Sequence, residues 1–360
     1  MKIALKTTSA PAIFFSLKHQ LLVYLFALGI IIGSAYTMYV HFDFSHSTDS
    51  KSYIKMAQGD FDVTITHRYR VLVPFAAAAV AWPMQQVYKK IWPHRAASDW
   101  PLRIGFFVIN SLLVAWFGLL LYLICRNYGA SGWSSLVAVT AVLTSRWAVY
   151  SAGLPLIDSL FLVTVALAFY GIKAEKKWAL VLAILLGPLA KESFIFFAPI
   201  IFFYGRALPK LQQVLLFVLA GALAFFIRFT IDAQVQATAD AGGLQNAFEH
   251  VENIILSIKR IFSVKGIGEL FSVFGVFTLV LIAGFFGGKA QRQQWLGQLD
   301  VVCLWWMLAV AVQVLLSHDV GRMTYLTAPV FAASVALILD RHSFWQSFRN
   351  KIAPHFNQQH

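Results

Sequence analysis

The residues best suited to chemistry in this chain follow an apolar run, Leu21 to Val40, that is long enough to cross a bilayer. The segment after it carries His41, Asp43, His46, Asp49 and Tyr53, then His67, Arg68, Tyr69 and Arg70. Thr48 or Asp49 can cap a short helix running through Tyr53 and Ala57, which places a carboxylate near a positive helix end and keeps it ionised. An ionised carboxylate at a membrane surface suits a general base. Asp49 is the first candidate and Asp43 the second. For each residue here the competing reading is a loop whose charges are simply solvated.

Lys191-Glu192 lies between two apolar runs, Trp178 to Ala190 and Ser193 to Gly205. Ionisable groups in such a setting are costly and usually face a polar cavity. Lys191 can neutralise a phosphate, with Glu192 orienting it or receiving a hydrogen bond; a structural ion pair at a helix turn is the alternative. A third group is His318-Asp319-Val-Gly321-Arg322. Arg322 offers a planar fork matched to phosphate oxygens, and Asp319 can position it or bind a hydroxyl; a plain i,i+3 salt bridge is the alternative. Asp158, after Gly153-Leu-Pro155, is explained as well by N-capping as by catalysis. Arg228 and Asp232, four residues apart, are most simply a surface pair.

These groups must be held by elements built for lipid. Of the 360 residues, 59% are apolar and only 12% charged, and the mean hydropathy is +0.68. A soluble fold of this size has too little interior for so much apolar surface. The expectation is an all-α polytopic membrane protein. Apolar runs at 21–40, 104–125, 130–147, 156–172, 211–230, 269–287, 299–317 and 323–339, with the two short runs around Lys191-Glu192, give about ten transmembrane helices. Segment 71–92, interrupted by Pro74 and Pro83, is read as a re-entrant or interfacial helix on the outer face.

The net charge of +13 is scattered among short loops, which fits the positive-inside rule better than nucleic-acid binding. Both termini are expected in the cytoplasm, with residues 1–345 as one transmembrane domain and 346–360 as a cytoplasmic tail. The first outer loop is then 41–70. A second outer loop holds an amphipathic helix at about 244–262, with Leu244, Phe248, Val251, Ile255, Ile258 and Phe262 on one face. A helix lying on the membrane surface is the favoured reading of it, ahead of a lipid-substrate gate. Cys125 and Cys303 lie in apolar runs without metal-ligand spacing and read as packing residues.

There is no P-loop, no GxGxxG and no HExxH, and the polar groups gather at one membrane face. Asp49-x3-Tyr53-x3-Ala57-x-Gly59 leading to Tyr69-Arg70-x-Leu72-x-Pro74 resembles bacterial GT-C-type integral membrane glycosyltransferases. So do Leu189-Ala190-Lys191-Glu192 and Asp319-x-Gly321-Arg322 before a Pro329-containing span. The resemblance implies a GT-C-like fold in the bacterial inner membrane with its active site facing the periplasm. It implies a polyprenyl-phosphate-sugar donor, a lipid or glycan acceptor, a place in cell-envelope polysaccharide biosynthesis, and Asp49 as base.

The residues themselves allow an inverting displacement. Lys191, Arg70, Arg322 and Arg68 are the donor-phosphate candidates, and Tyr53, Glu192, His318, Asp319 and Asp158 orient substrate. A divalent cation, Mg or Mn, between Asp49 and Glu192 is compatible with this chemistry, although no spacing requires it. A lipid-linked saccharide flippase would need more polar residues at mid-span. A membrane acyl- or phosphotransferase would favour a His/Asp pair, for which His318-Asp319 is the only sequence hint.

Overall fold

The structure, a computed structural model, describes residues 16–43, 47–96, 98–235, 243–286, 288–317 and 319–347. Among the described residues the chain is helical, with no strand. Helix α1 (Leu17–His41) leads through α2 (Thr48–Ala57), α3 (Ile65–Arg68), α4 (Leu72–Ile91) and α5 (Pro93–Ala96) to the long α6 (Trp100–Asn127). Next come α7 (Gly132–Leu143), α8 (Arg146–Gly153), α9 (Asp158–Lys173) and α10 (Lys177–Ala190). A 3-10 segment (Glu192–Phe197) runs into α11 (Ala198–Tyr204), followed by α12 (Lys210–Val235), α13 (Gly243–Ile261) and α14 (Val264–Phe274). The chain continues through α15 (Phe277–Phe285), α16 (Lys289–Leu296), α17 (Val301–Ser317) and α18 (Val320–Thr324) to α19 (Ala328–Arg341).

Two helices are apolar all round and form the interior. In α9 every residue from Asp158 to Ile172 is buried, and in α19 every residue from Ala328 to Ile338. Helices α6 and α10 flank α9, while α7, α15 and α6 surround α19. The periphery is apolar on its outside instead. Helix α1 buries Val23, Ala27, Ile31 and Ala35 at four-residue spacing and exposes Leu21, Leu22, Leu25 and Phe26. On α12, Phe225, Phe226 and Phe229 are all exposed. Apolar helices that turn such side chains outward are suited to lipid, which makes this a helical membrane protein.

The expectation of ten spans is corrected. Among the described residues, four stretches are long and apolar enough to cross a bilayer: α1, α6, α12 and the run Val320–Arg341. The count reaches six if the bent pairs α14–α15 and α16–α17 each form one span. Counting apolar residues overlooks breaks in the backbone. The run 130–147 is split where Thr144 ends α7 and Ser145 caps α8. Helix α9 has 16 residues and α10 has 14, about 24 and 21 Å against a hydrocarbon core of about 30 Å. Helices α14 and α15 meet at 100°, a corner made at Gly275, whose φ of +55° favours glycine.

Segment 71–92 is one continuous 20-residue helix despite Pro83, and it is not among the stretches apolar enough to cross. It packs along α6 so closely that a Cβ at Gly105 would run into the Ala77 carbonyl. Segment 178–205 forms a hairpin. Gly187 lies against the Phe194 ring and Gly205 returns beside Leu180, leaving Lys191-Glu192 at the tip. The amphipathic helix is α13, where Ile255 and Ile258 are exposed, with Phe262 just past its end. The side chains of Leu244, Phe248 and Val251 lie outside the described residues, as do His46 and all of the tail beyond 347.

Charged groups separate to the two ends of α9, about 24 Å apart. At its last residue Lys173 pairs with Asp300 at 3.0 Å. At the same end Asp340 of α19 accepts from the Ser131 amide and from the Ser131 and Ser134 hydroxyls, which fixes the start of α7. The candidate site lies at the opposite end, around Asp158.

Candidate functional site

Four parts of the chain converge there: the start of α2, the hairpin tip, the start of α9, and α18. Ser47, rather than Thr48 or Asp49, caps α2, its hydroxyl accepting from the Ser50 amide. Asp49 therefore falls in the first turn, where the positive helix end favours its charge. Its Oδ2 accepts from Arg322 at 3.2 Å, and its Oδ1 lies 3.3 Å from His67 Nε2.

Asp158 does not cap α9; the cap position is Ile157, and the carboxylate turns to Arg322 at 2.5 Å and Lys191 at 3.6 Å. Burial would raise this carboxyl, but Arg322 and Lys191 overrule it and hold it at about 2. Lys191 is the last residue before the hairpin turns. Burial, reinforced by Arg322, lowers its amine to about 8 in spite of Asp158.

Asn110 explains why Asp158 is there. It is fully buried in α6, donates to the carbonyls of Leu154 and Leu156 at 3.0 Å each, and accepts from the Ser159 hydroxyl. One amide thus clamps the backbone on both sides of Pro155 and the first turn of α9. Arg322 is placed by its own motif. Asp319 caps α18 by accepting from the Arg322 amide at 3.2 Å and lies 3.9 Å from the guanidinium. A Cβ at Gly321 would come within 2.8 Å of the Trp147 indole. The glycine leaves room for the Trp147 indole beside α18.

Asp49, Asp158, Lys191 and Arg322 face one cavity of about 180 Å³, whose remaining wall includes Phe42, Trp147, Tyr150 and Phe161. The pocket has a charged side and an aromatic side. The outer face of the aromatic wall is stacked by Arg146, 5.5 Å from the Trp147 ring and 5.2 Å from that of Tyr150.

Several expectations change. Glu192 does not orient Lys191; it accepts from Arg70 at 3.0 Å and Arg228 at 3.2 Å. Tyr53 is fully buried and its hydroxyl accepts from Arg70, so it supports that arginine from beneath and does not face the cavity. Burial raises this phenol to about 12. Arg68 is spent on Asp232, 3.6 Å away, and on the Val63 carbonyl, outside the cavity wall. Arg228 and Asp232 do not pair with each other. Arg228 lies 4.8 Å over the Tyr69 ring, and Asp232 accepts from the Tyr69 hydroxyl at 2.8 Å. Together they bind the C-terminal end of α12 to the 65–70 segment. Asp43 is exposed, with its charge felt by Arg103, and it does not line the cavity. His318 lies outside the described residues.

Of the pair considered for a divalent cation, Asp49 gives its oxygens to Arg322 and His67, and Glu192 gives its oxygens to Arg70 and Arg228. Among the described residues no three His, Cys, Asp or Glu side chains gather to hold a metal. Asn110 and Trp147 were not singled out from the sequence, and His67 was named there without a role. His67 was one of many charged or polar residues in its loop. Asn110 carried a signal, as a polar amide in a long apolar run. Burial lowers the His67 ring, opposed by Asp49 and aided by Arg70, Arg322 and Lys191.

Compared with known proteins, the chain matches no family model, no curated protein and no solved structure.

Proposed function

We propose that this chain is a membrane glycosyltransferase of the GT-C type. It would move a sugar from a polyprenyl-phosphate donor to a lipid or glycan acceptor on the periplasmic face of a bacterial inner membrane. The observation that carries the reading is the unequal partnering of two carboxylates at one cavity. Asp158 is matched by both Lys191 and Arg322, whereas Asp49 has Arg322 and a histidine. Asp158 is thereby too acidic to take a proton, and Asp49 is left as the base.

In this mechanism the acceptor hydroxyl loses its proton to Asp49 as its oxygen attacks the anomeric carbon. The bond from that carbon to the phosphate oxygen breaks in the same displacement, inverting the centre. The leaving lipid phosphate gains negative charge, which Lys191 and Arg322 offset with N–H groups at the cavity wall. Arg70, held by Glu192 and Tyr53, supports the hairpin tip from behind. The apolar outer surface of the bundle suits a substrate that arrives in the bilayer.

The test is Asp49→Asn in protein reconstituted into liposomes with polyprenyl-phosphate sugars. Transfer should fall by at least about 10²-fold while donor-lipid binding and the melting temperature stay near wild type. Wild-type transfer by this variant would remove Asp49 as base and with it the proposed reaction.

A further inference from the structure

Among the described residues, His67 is the histidine that meets a carboxylate at the cavity, and its surroundings fix its tautomer. Its Nε2 lies 3.3 Å from Asp49 Oδ1, its ring packs against that of Tyr53 at 5.4 Å, and its side chain is 13% exposed. Its Nδ1 is buried with no hydrogen-bond partner among the described residues. The charged groups felt by the ring are Asp49 from α2, Arg70 from the link between α3 and α4, Lys191 from the hairpin tip and Arg322 from α18. A proton on Nδ1 would be a buried donor without an acceptor, and it would leave the Nε2 lone pair facing an ionised oxygen. A doubly protonated ring would add a cation beside three others. The remaining form, neutral with its proton on Nε2, donates to Asp49 and leaves Nδ1 as a bare acceptor.

We propose that His67 is a positioning residue for Asp49, which it orients by a hydrogen bond while withholding the second positive charge that Asp158 receives. The inference rests on the reading of Asp49 as base. A carboxylate between two cations is a poor proton acceptor, because an added positive neighbour lowers its pKa by about 1–3 units. A neutral donor fixes the geometry without that loss. His67 therefore separates the roles of two carboxylates that share Arg322.

The test compares His67→Gln, His67→Lys and His67→Ala in reconstituted protein, with kcat and the donor KM measured separately. Glutamine places an amide N–H near the Nε2 position without charge, and it should keep kcat within about threefold of wild type. Lysine keeps a donor but adds the charge, and should lower kcat about tenfold or more with donor KM unchanged or reduced. Alanine should lower kcat by a similar factor with donor KM unchanged. If alanine does not fold, the contrast between glutamine and lysine still decides. A lysine variant with wild-type kcat, an alanine variant with wild-type kcat, or a glutamine variant as slow as lysine would overturn the role of His67. If those results came with an inactive Asp49→Asn, the base would stand without this partner. If Asp49→Asn were itself active, both readings would fall.

Discussion

Arg322 and Asp158 meet at 2.5 Å although 164 residues separate them, and the second arm of the same guanidinium reaches Asp49. Arg322 thus joins the start of α2 to the start of α9, and its planar fork allows both contacts at once. A lysine there would supply one point charge and could not span the two carboxylates in the same way.

Lys191 should give the protein two pH responses of opposite sign. Its amine titrates at about 8 in the folded chain instead of the ordinary 10.5. Between those values the unfolded chain holds a proton that the folded chain does not, so this group's contribution to stability rises with pH across the window. Its pull on phosphate moves the other way, being full below about pH 8 and lost above it. Donor-lipid binding to reconstituted protein should weaken above about pH 8 in wild type and stay level in Lys191→Arg, whose charge persists.

Asn110→Leu should loosen the backbone ahead of Asp158. The Leu154 and Leu156 carbonyls would lose their donor in a buried setting, at a cost of about 1–3 kcal/mol. The melting temperature in detergent should drop, and transfer should fall more than donor binding does. Ser159→Ala removes only the third contact and should have the smaller effect. An Asn110→Leu protein that melts and reacts as wild type would show the loop to be held by other means.

Gly105→Ala tests how closely α4 and α6 approach. A single methyl must push the Ala77 carbonyl away, which should cost about 1–3 kcal/mol through forced separation of the two helices. Gly33→Ala is the control, since a Cβ there meets nothing within 4 Å. Equal melting temperatures for the two variants would contradict the tight contact.

Part of the site was legible because ionisable residues next to apolar runs are expensive. That cost pointed to Lys191, while a helix start pointed to Asp49, a planar fork to Arg322, and Asp158 stood evenly between capping and catalysis. Their partners were not legible. Glu192 follows Lys191 directly, yet it pairs with Arg70, 122 residues away, because the turn at the hairpin tip sends adjacent side chains in different directions. Arg228 and Asp232 have helix spacing, but packing against Tyr69 and Glu192 wins over the local pair. The number of spans was misjudged for a related reason. Apolar composition runs straight through Ser145 and Gly275, where the backbone caps a helix or turns a corner.

Among the described residues, Arg68, Arg70, Lys191, Arg228 and Arg322 stand against Asp49, Asp158, Glu192, Asp232 and Asp319, five charges of each sign in three groups of ion pairs. Opposed charges so close together cancel beyond a screening length of about 8 Å in physiological salt. From a distance these paired charges draw in neither anions nor cations, so they add little electrostatic steering through water. A partner confined to the membrane plane would reach the cavity by lateral diffusion, at a rate almost indifferent to ionic strength, and feel Lys191 and Arg322 only on contact.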